Sequence, residues 1–253
     1  MAIRHYLNIM GDSTPWYGIC LAVGVVSMAI CLYYTLRKGG LKGEDETRFL
    51  LAFPLMLGCG VVASVILDAL FTGDWRTWLG AEERRVGFTF TGFLVGAIIG
   101  LSIYGRLSGL GCRRLLNSLL PPLALAQGFG RIGCFLGGCC YGVPCLFGVA
   151  YPPGSYPHSI VGDIPLFPIQ LVEAALLFVL FGIAFLSAPA LRMYVYVIGA
   201  SVIRFFVEFL RYDRRGTLFG IDSLSPQQLL SLGLAAVFVA LLVRDEWHRK
   251  FDG

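Results

Sequence analysis

The chain has 253 residues, of which 57% are hydrophobic and only 14% are charged, and its formal net charge is +4. Soluble domains usually carry about 25% charged residues, so this composition excludes an ordinary soluble globule, and the high apolar content excludes a disordered chain. The small net charge, with basic residues spread between apolar runs, argues against nucleic-acid binding.

Seven apolar segments approach or reach the roughly 20 residues that a membrane-spanning helix needs. They are, in chain order, Trp16–Thr35, Thr47–Phe71, Phe88–Tyr104, Leu115–Phe129, Pro168–Leu186, Leu191–Leu210 and Leu229–Val243. The sequence therefore predicts an all-α polytopic membrane protein with a single integral membrane domain over residues 1–253. The first segment is long and lacks the small-residue cleavage site of a signal peptide, so we expect it to remain as an anchor.

Basic residues in short loops indicate which side of the membrane each loop faces. The loops after the first, third, fifth and seventh segments hold eleven Lys and Arg residues, against eight on the other side. This modest excess predicts an outside N-terminus and a cytoplasmic C-terminus. Residues 131–167 then form an outward-facing region rich in Gly, Cys and Pro.

The most unusual stretch of the chain is 128–142, in which six of fifteen residues are glycine. Glycine disfavours a regular helix, so we expect irregular backbone here. Its exposed backbone N–H groups, together with Arg131, predict an anion-binding site. The alternative is a structural re-entrant loop whose arginine extends to the membrane interface.

Two polar groups interrupt the later apolar segments. Arg204, Glu208 and Arg211 share one face of a helix, and ionisable groups in a membrane span are expected to pair and to face a polar cavity. Glu208 could hold Arg204 ready for a phosphate, or the pair could be purely structural. Gln170 and Glu173 lie one turn apart after Pro168, where they could bind a headgroup, bind another helix, or only mark the helix end.

Four of the eight cysteines, Cys134, Cys139, Cys140 and Cys145, fall within twelve residues of the same region. Disulfides, a zinc site and a thiol nucleophile all remain open. The spacing is not C-x-x-C and no histidine is close, which disfavours zinc.

Together these motifs resemble the prolipoprotein diacylglyceryl transferases of bacterial inner membranes. The resemblance covers nearly the whole chain and rests on residues in this order: Trp16–Tyr17–Gly18, the Gly92–x–x–x–Gly96 helix, the Arg131 loop, Pro168–x–Gln170–x–x–Glu173 and Arg204–Glu208–Arg211.

The resemblance implies a multi-pass enzyme of the bacterial inner membrane. Such enzymes move diacylglyceryl from phosphatidylglycerol to the lipobox cysteine of a preprolipoprotein and release glycerol 1-phosphate. It implies membrane lipids as partners, no nucleic acid, and no metal or organic cofactor. Arg131 and Arg204 are expected to bind the phosphate, with Glu208 and Tyr17 completing the catalytic set. The expected substrate-binding residues are Thr91, Gly92, Arg131, Gly133, Cys134, Gly142, Gln170, Glu173 and Arg211.

The sequence departs from the family pattern at several positions. The family continues G-R-x-G-N-F-x-N-G-E, whereas here Cys134 and Gly137 replace the two Asn and Cys139 replaces the Glu. The family's H-G-G or Y-G-G appears as Thr91–Gly92–Phe93, and a threonine cannot act as a base near neutral pH. Two alternatives follow: a transferase of the same scaffold with a small-molecule or lipid acceptor, and a non-catalytic lipid-binding or transport protein.

Overall fold

The computed structural model describes residues 16–38, 44–72, 89–212 and 224–251. Within these ranges the elements are α1 (Trp16–Lys38), α2 (Glu44–Thr72), α3 (Phe90–Leu107), α4 (Cys112–Leu136), β1 (Pro144–Val149), α5 (Tyr156–Val161), α6 (Ile169–Leu186), α7 (Arg192–Val207), a 3-10 turn (Glu208–Leu210) and α8 (Pro226–Phe251). Seven helices of the described ranges are long and apolar enough to cross a membrane, which confirms the predicted all-α polytopic fold.

The orientation of the bundle stays a prediction. Seven of the basic residues counted for it lie outside the described residues, namely Arg4, Lys42, Arg76, Arg84, Arg85, Arg214 and Arg215. Phe88, which begins the third predicted span, lies outside them as well.

Helix α4 is the centre of the bundle. It packs against α1, α3, α6 and α7, and 67% of its span is buried, compared with 17% for α1. Leu115, Leu119 and Leu120 on α4 are fully buried in the core beside Tyr196 of α7. The outer helices expose large apolar side chains, as expected for surfaces that contact lipid.

The glycines of α3 form its contact with α2. A Cβ added at Gly96 would lie 2.3 Å from the carbonyl oxygen of Cys59, and one added at Gly92 would lie 2.9 Å from the Cα of Ser64. Small residues let membrane helices approach this closely. Packing therefore accounts for the Gly92–x–x–x–Gly96 pattern.

The expectation of irregular backbone across 128–142 is wrong for its first nine residues, because α4 stays helical to Leu136. The glycines serve close packing instead. A Cβ at Gly128 would lie 2.5 Å from the Phe178 ring of α6, and one at Gly133 would lie 3.2 Å from the Tyr17 ring of α1. These tertiary contacts outweigh the intrinsic helix cost of glycine, which is about 1 kcal/mol per residue.

The loop after α4 is fixed between the start of α6 and the end of α7. The backbone N–H of Gly142 donates to the Phe167 carbonyl at 3.2 Å, and that of Val143 donates to the Leu210 carbonyl at 3.0 Å. Gly142 also forms an antiparallel bridge with Arg211. This pairing explains why the regular helix ends at Val207 rather than Leu210 and why Arg211 is extended.

Candidate active site

The predicted site residues gather at one end of the bundle. Successive spans alternate in direction, so the starts of α1, α3, α6 and α8 lie beside the ends of α4 and α7. The candidate residues occupy these positions: Tyr17, Thr91, Gly92, Arg131, Gly133, Cys134, Gln170, Glu173, Arg204 and Glu208. The end of the bundle that they share is called the site end below.

Arg131 and Glu173 form an ion pair between α4 and α6. The Arg131 Nε lies 2.9 Å from Glu173 Oε2, and the two side chains are 11% and 2% exposed. The other carboxylate oxygen of Glu173 is buried without a hydrogen-bond partner. Glu173 therefore binds another helix, one of the alternatives left open by the sequence, and keeps one oxygen available.

Arg204, Glu208 and Arg211 form a second buried group, but the prediction that all three share one helix face is wrong for Arg211, which lies on extended backbone past the helix end. The Arg204 Nη2 lies 2.5 Å from Glu208 Oε2, and the Arg211 Nε lies 3.8 Å from the same oxygen. The hydroxyl of Ser225 donates to Glu208 Oε1 at 3.1 Å. Ser225 also caps α8, because Ser225 and Gln228 exchange backbone-to-side-chain hydrogen bonds as a capping box.

The two groups act as one electrostatic cluster. The charges of Arg211, Glu173, Glu208 and Arg131 all act on the Arg204 guanidinium. Three arginines and two carboxylates leave one net positive charge, and all five side chains are buried or nearly so. A buried excess charge is costly unless it is paired, so this cluster is suited to a bound anion.

A small cavity opens beside Arg204. It has room for about one small polar group of the size of a water molecule. Three of the residues that line it each have one buried side-chain atom without a hydrogen-bond partner: Nη1 of Arg204, Oγ of Ser201 and Oγ of Ser231. Buried polar atoms are nearly always paired in proteins, so three unpartnered atoms around one small cavity indicate that a small polar group fits there.

Ser201 and Ser231 were not predicted from the sequence. A single serine on an apolar helix is usually a packing residue and gives no motif signal. The one available hint is the spacing of Ser201, which lies three residues before Arg204 and so on the same helix face.

Gln170 supports the loop that follows α4. Its Nε2 donates to the Cys139 carbonyl at 2.8 Å and to the Tyr151 hydroxyl at 3.1 Å. Burial raises the pKa of Tyr151 to about 12, so its hydroxyl is neutral and can accept this bond. The Oε1 of Gln170 is buried without a partner. Gln170 thus fixes the cysteine-bearing loop while keeping one acceptor unused.

Three cysteines meet at the site end. The Sγ atoms of Cys134, Cys139 and Cys140 all lie within 4.8 Å of one another, and Cys145 is not part of this group. The pKa of the Cys140 thiol lies below its usual value because the thiols of Cys134 and Cys139 donate to it and Arg211 and Arg131 are close.

The remaining candidates border the same site. Tyr17 is 43% exposed, lies against Gly133 and is within electrostatic reach of Arg131. Thr91 lines the cavity beside Arg204. Gly92 packs against α2, and Gly142 holds the loop through its backbone, so both glycines shape the site through packing and backbone contacts.

Comparison with known proteins identifies the family of this chain. Residues 5–244 match the family model described as prolipoprotein diacylglyceryl transferase. The phosphatidylglycerol–prolipoprotein diacylglyceryl transferase of Clostridium tetani is 33% identical over 253 residues, covering 96% of this chain and 98% of the relative. The transferase 2 of Clostridium perfringens is 30% identical over 238 residues, covering 89% and 88%. The family model and the relatives both span almost the whole chain, and this protein therefore belongs to the prolipoprotein diacylglyceryl transferase family.

Proposed function

We propose that this protein transfers a diacylglyceryl group from phosphatidylglycerol to an acceptor thiol, the lipobox cysteine of a preprolipoprotein, and releases glycerol 1-phosphate at a bacterial inner membrane. The names of its relatives support the donor and the acceptor. The observation that carries the proposal is the buried and unpartnered Nη1 of Arg204, a residue that lines the cavity and belongs to a cluster of net positive charge.

The phosphate of the donor lipid binds at this positive cluster. Arg204 offers its unpartnered Nη1, and Glu208 holds the rest of that guanidinium in place. A planar guanidinium suits phosphate because it presents several donors in a fixed geometry. The hydroxyls of Ser201 and Ser231 point to a second polar contact, with either a phosphate oxygen or a hydroxyl of the glycerol headgroup.

The chemistry is a substitution at carbon in which a phosphate leaves. The acceptor thiol gives up its proton to water, its sulfur bonds to the glyceryl carbon, and the bond from that carbon to the phosphate oxygen breaks with its electron pair on the phosphate. Negative charge therefore develops on the phosphate in the transition state. Preorganised donors such as Arg204, with Arg131 held by Glu173, stabilise that charge most where water is excluded.

The direct test uses purified protein in nanodiscs that contain phosphatidylglycerol, with a lipobox peptide as acceptor. Glycerol phosphate release and peptide mass are followed together. We expect a diacylglyceryl mass shift that is abolished in Arg204→Ala and retained in Arg192→Ala. Arg192 is the matched control because it lies at the opposite end of the same helix, where it binds the carbonyls of Phe185 and Ser187.

The other outcomes separate the alternative functions. Glycerol phosphate release without peptide modification would indicate a different acceptor or hydrolysis. Binding of phosphatidylglycerol by a folded protein, with neither product, would contradict the enzymatic proposal and favour a lipid-binding or transport role.

A further inference from the structure

The three clustered thiols are held by an unusual backbone. The N–H of Cys139 donates to the Cys134 carbonyl at 3.0 Å, which turns the chain back onto the end of α4. Cys140 has φ +58, and it is the one non-glycine residue with positive φ in the described part of the chain. Such a conformation is rare for a non-glycine residue and persists only where the surrounding structure enforces it.

This conformation brings neighbouring thiols to one point. Adjacent side chains on extended backbone face opposite ways, so Cys139 and Cys140 would not normally reach a common partner. Here both Sγ atoms lie within 4.8 Å of each other and of Cys134 Sγ. The adjacent positions of Cys139 and Cys140 disfavour zinc binding in the sequence, but the fold brings both thiols to one point.

The geometry and the chemistry of three thiols match a soft divalent cation. Bonds of about 2.3 Å from Zn²⁺ to sulfur place thiolates about 3.8 Å apart at the corners of a tetrahedron, so a contraction of about 1 Å or less closes the site around the ion. Three protein ligands with an open fourth position are the pattern of catalytic rather than structural zinc sites.

The surroundings of the cluster favour such an ion. Zn²⁺ with three thiolates carries one net negative charge, and the charges of Arg211 and Arg131 both act on Cys140. Gln170 anchors the Cys139 carbonyl by a 2.8 Å hydrogen bond, which fixes the ligand loop. Arg211 and Arg131 thus place positive charge beside the site of the negatively charged zinc–thiolate group.

We propose that Cys134, Cys139 and Cys140 bind one Zn²⁺ ion whose fourth position receives the acceptor thiol as a thiolate; the second part of this proposal rests on the proposed transferase function. It departs from the expectation of a metal-free reaction. Thr91 offers no base at neutral pH, and in the described part of the chain arginines pair with the buried carboxylates Glu173 and Glu208 of the site end. A thiol that binds a metal ion is deprotonated by that ion without a separate base.

The proposed step transfers the glyceryl carbon from the phosphate oxygen to the acceptor sulfur. The acceptor thiol releases its proton to water as its sulfur binds Zn²⁺. The sulfur then forms a bond to the glyceryl carbon of the donor lipid, and the bond from that carbon to the phosphate oxygen breaks with its electron pair on the oxygen. The product thioether leaves the ion, glycerol phosphate leaves the arginines, and Zn²⁺ keeps its oxidation state throughout.

Metal binding is tested first, without turnover. The reduced full-length protein is stripped with a chelator and titrated with Co²⁺ alone, and absorption from sulfur-to-cobalt charge transfer is recorded; Zn²⁺ competition then gives its affinity. We expect about one ion per chain. Cys139→Ser should lower the Co²⁺ affinity by more than about 100-fold, because loss of a residue that only hydrogen-bonds to a metal ligand already lowers metal affinity by about 10- to 100-fold.

The matched control is Cys145→Ser, which removes a thiol of the same loop that is not part of the cluster. We expect it to bind Co²⁺ as the unchanged protein does. Cys140→Ser serves as a second ligand variant if Cys139→Ser fails to fold, as judged by thermal unfolding. Absence of the charge-transfer band, equal binding by the ligand variants, or a disulfide among the three cysteines in thiol-blocked membranes would each overturn the metal site.

Activity measurements separate this proposal from the proposed function. Chelation should abolish peptide modification and Zn²⁺ should restore it, while binding of phosphatidylglycerol persists. If modification continues at full rate in metal-free protein, thiol activation by zinc is wrong and the transferase function stands. If the zinc-loaded protein binds the lipid but never modifies the peptide, the transferase function and the activation step are contradicted together, while the metal site stands.

Discussion

The Arg131 guanidinium on α4 and the Glu173 carboxylate on α6 form a buried ion pair, with Nε 2.9 Å from Oε2. The pair joins the central helix of the bundle to a neighbour that packs along it. It also orients one of the two arginines that we assign to the phosphate. The same contact therefore affects both stability and activity, and these effects can be separated by mutation.

Removal of Arg131 alone should lower the stability of the fold more than removal of both Arg131 and Glu173. Arg131→Ala leaves the Glu173 carboxylate buried without its partner, at a cost of about 3–5 kcal/mol, whereas the double variant Arg131→Ala/Glu173→Ala leaves no such charge. Thermal unfolding in detergent should rank the double variant above the single one. Both should be inactive, and equal unfolding temperatures would show that the pair does not couple the helices.

Ser231 should contribute to donor binding through the cavity. Ser231→Ala removes a hydroxyl that is buried without a protein partner, so the fold loses no hydrogen bond. We expect a rise of about ten-fold in the apparent KM for phosphatidylglycerol, as for the loss of one hydrogen bond to a charged group. The measurement is glycerol phosphate release against the mole fraction of the lipid in nanodiscs.

Ser102→Ala is the control for that experiment, since Ser102 contacts Cys112 at the other end of the bundle. An unchanged KM in Ser231→Ala would show that the Ser231 hydroxyl does not contact the headgroup.

Gly142 should tolerate no side chain. A Cβ in Gly142→Ala would lie 2.5 Å from the Phe167 carbonyl oxygen and 3.0 Å from that of Leu210, so the loop that carries Cys139 and Cys140 must move. We expect a lower unfolding temperature and at least ten-fold lower activity, measured by circular dichroism and by the peptide assay.

Gly182→Ala is the matched control on α6, because nothing lies within 4 Å of the added Cβ. Alanine favours a helix over glycine by about 1 kcal/mol, so this variant should be as stable as the parent or more so. Equal behaviour of the two variants would contradict the tight fit at Gly142.

Asp245, a buried acid at the end of the bundle opposite the site end, should contribute to stability but not to activity. Asp245 of α8 accepts from the Tyr194 hydroxyl of α7 and pairs with Arg113 of α4. Asp245→Ala breaks this three-helix contact, and we expect a loss of about 1–3 kcal/mol in the free energy of unfolding. Below the unfolding temperature kcat/KM should stay within about two-fold, and a larger loss would place this end of the bundle in the reaction.

The sequence by itself predicted the seven spans and named the candidate residues of the site. A run of about 20 apolar residues can satisfy its backbone in a membrane only as a helix, and the alternating direction of the spans brings Tyr17, Arg131 and Arg204 to one end. The pairing of Arg204 with Glu208 was also predictable, because four residues on a helix make a local contact.

The tertiary structure decided everything that depends on contacts between distant segments. The 128–136 backbone is helical because α1 and α6 pack closely on its glycines. Glu173 forms an ion pair with Arg131 because α4 lies against α6. Ser201 and Ser231 become informative only when they face one cavity. The thiols of Cys134, Cys139 and Cys140 meet because paired backbone holds the loop and enforces a positive φ, and side-chain patterns along a chain do not encode such long-range backbone pairing.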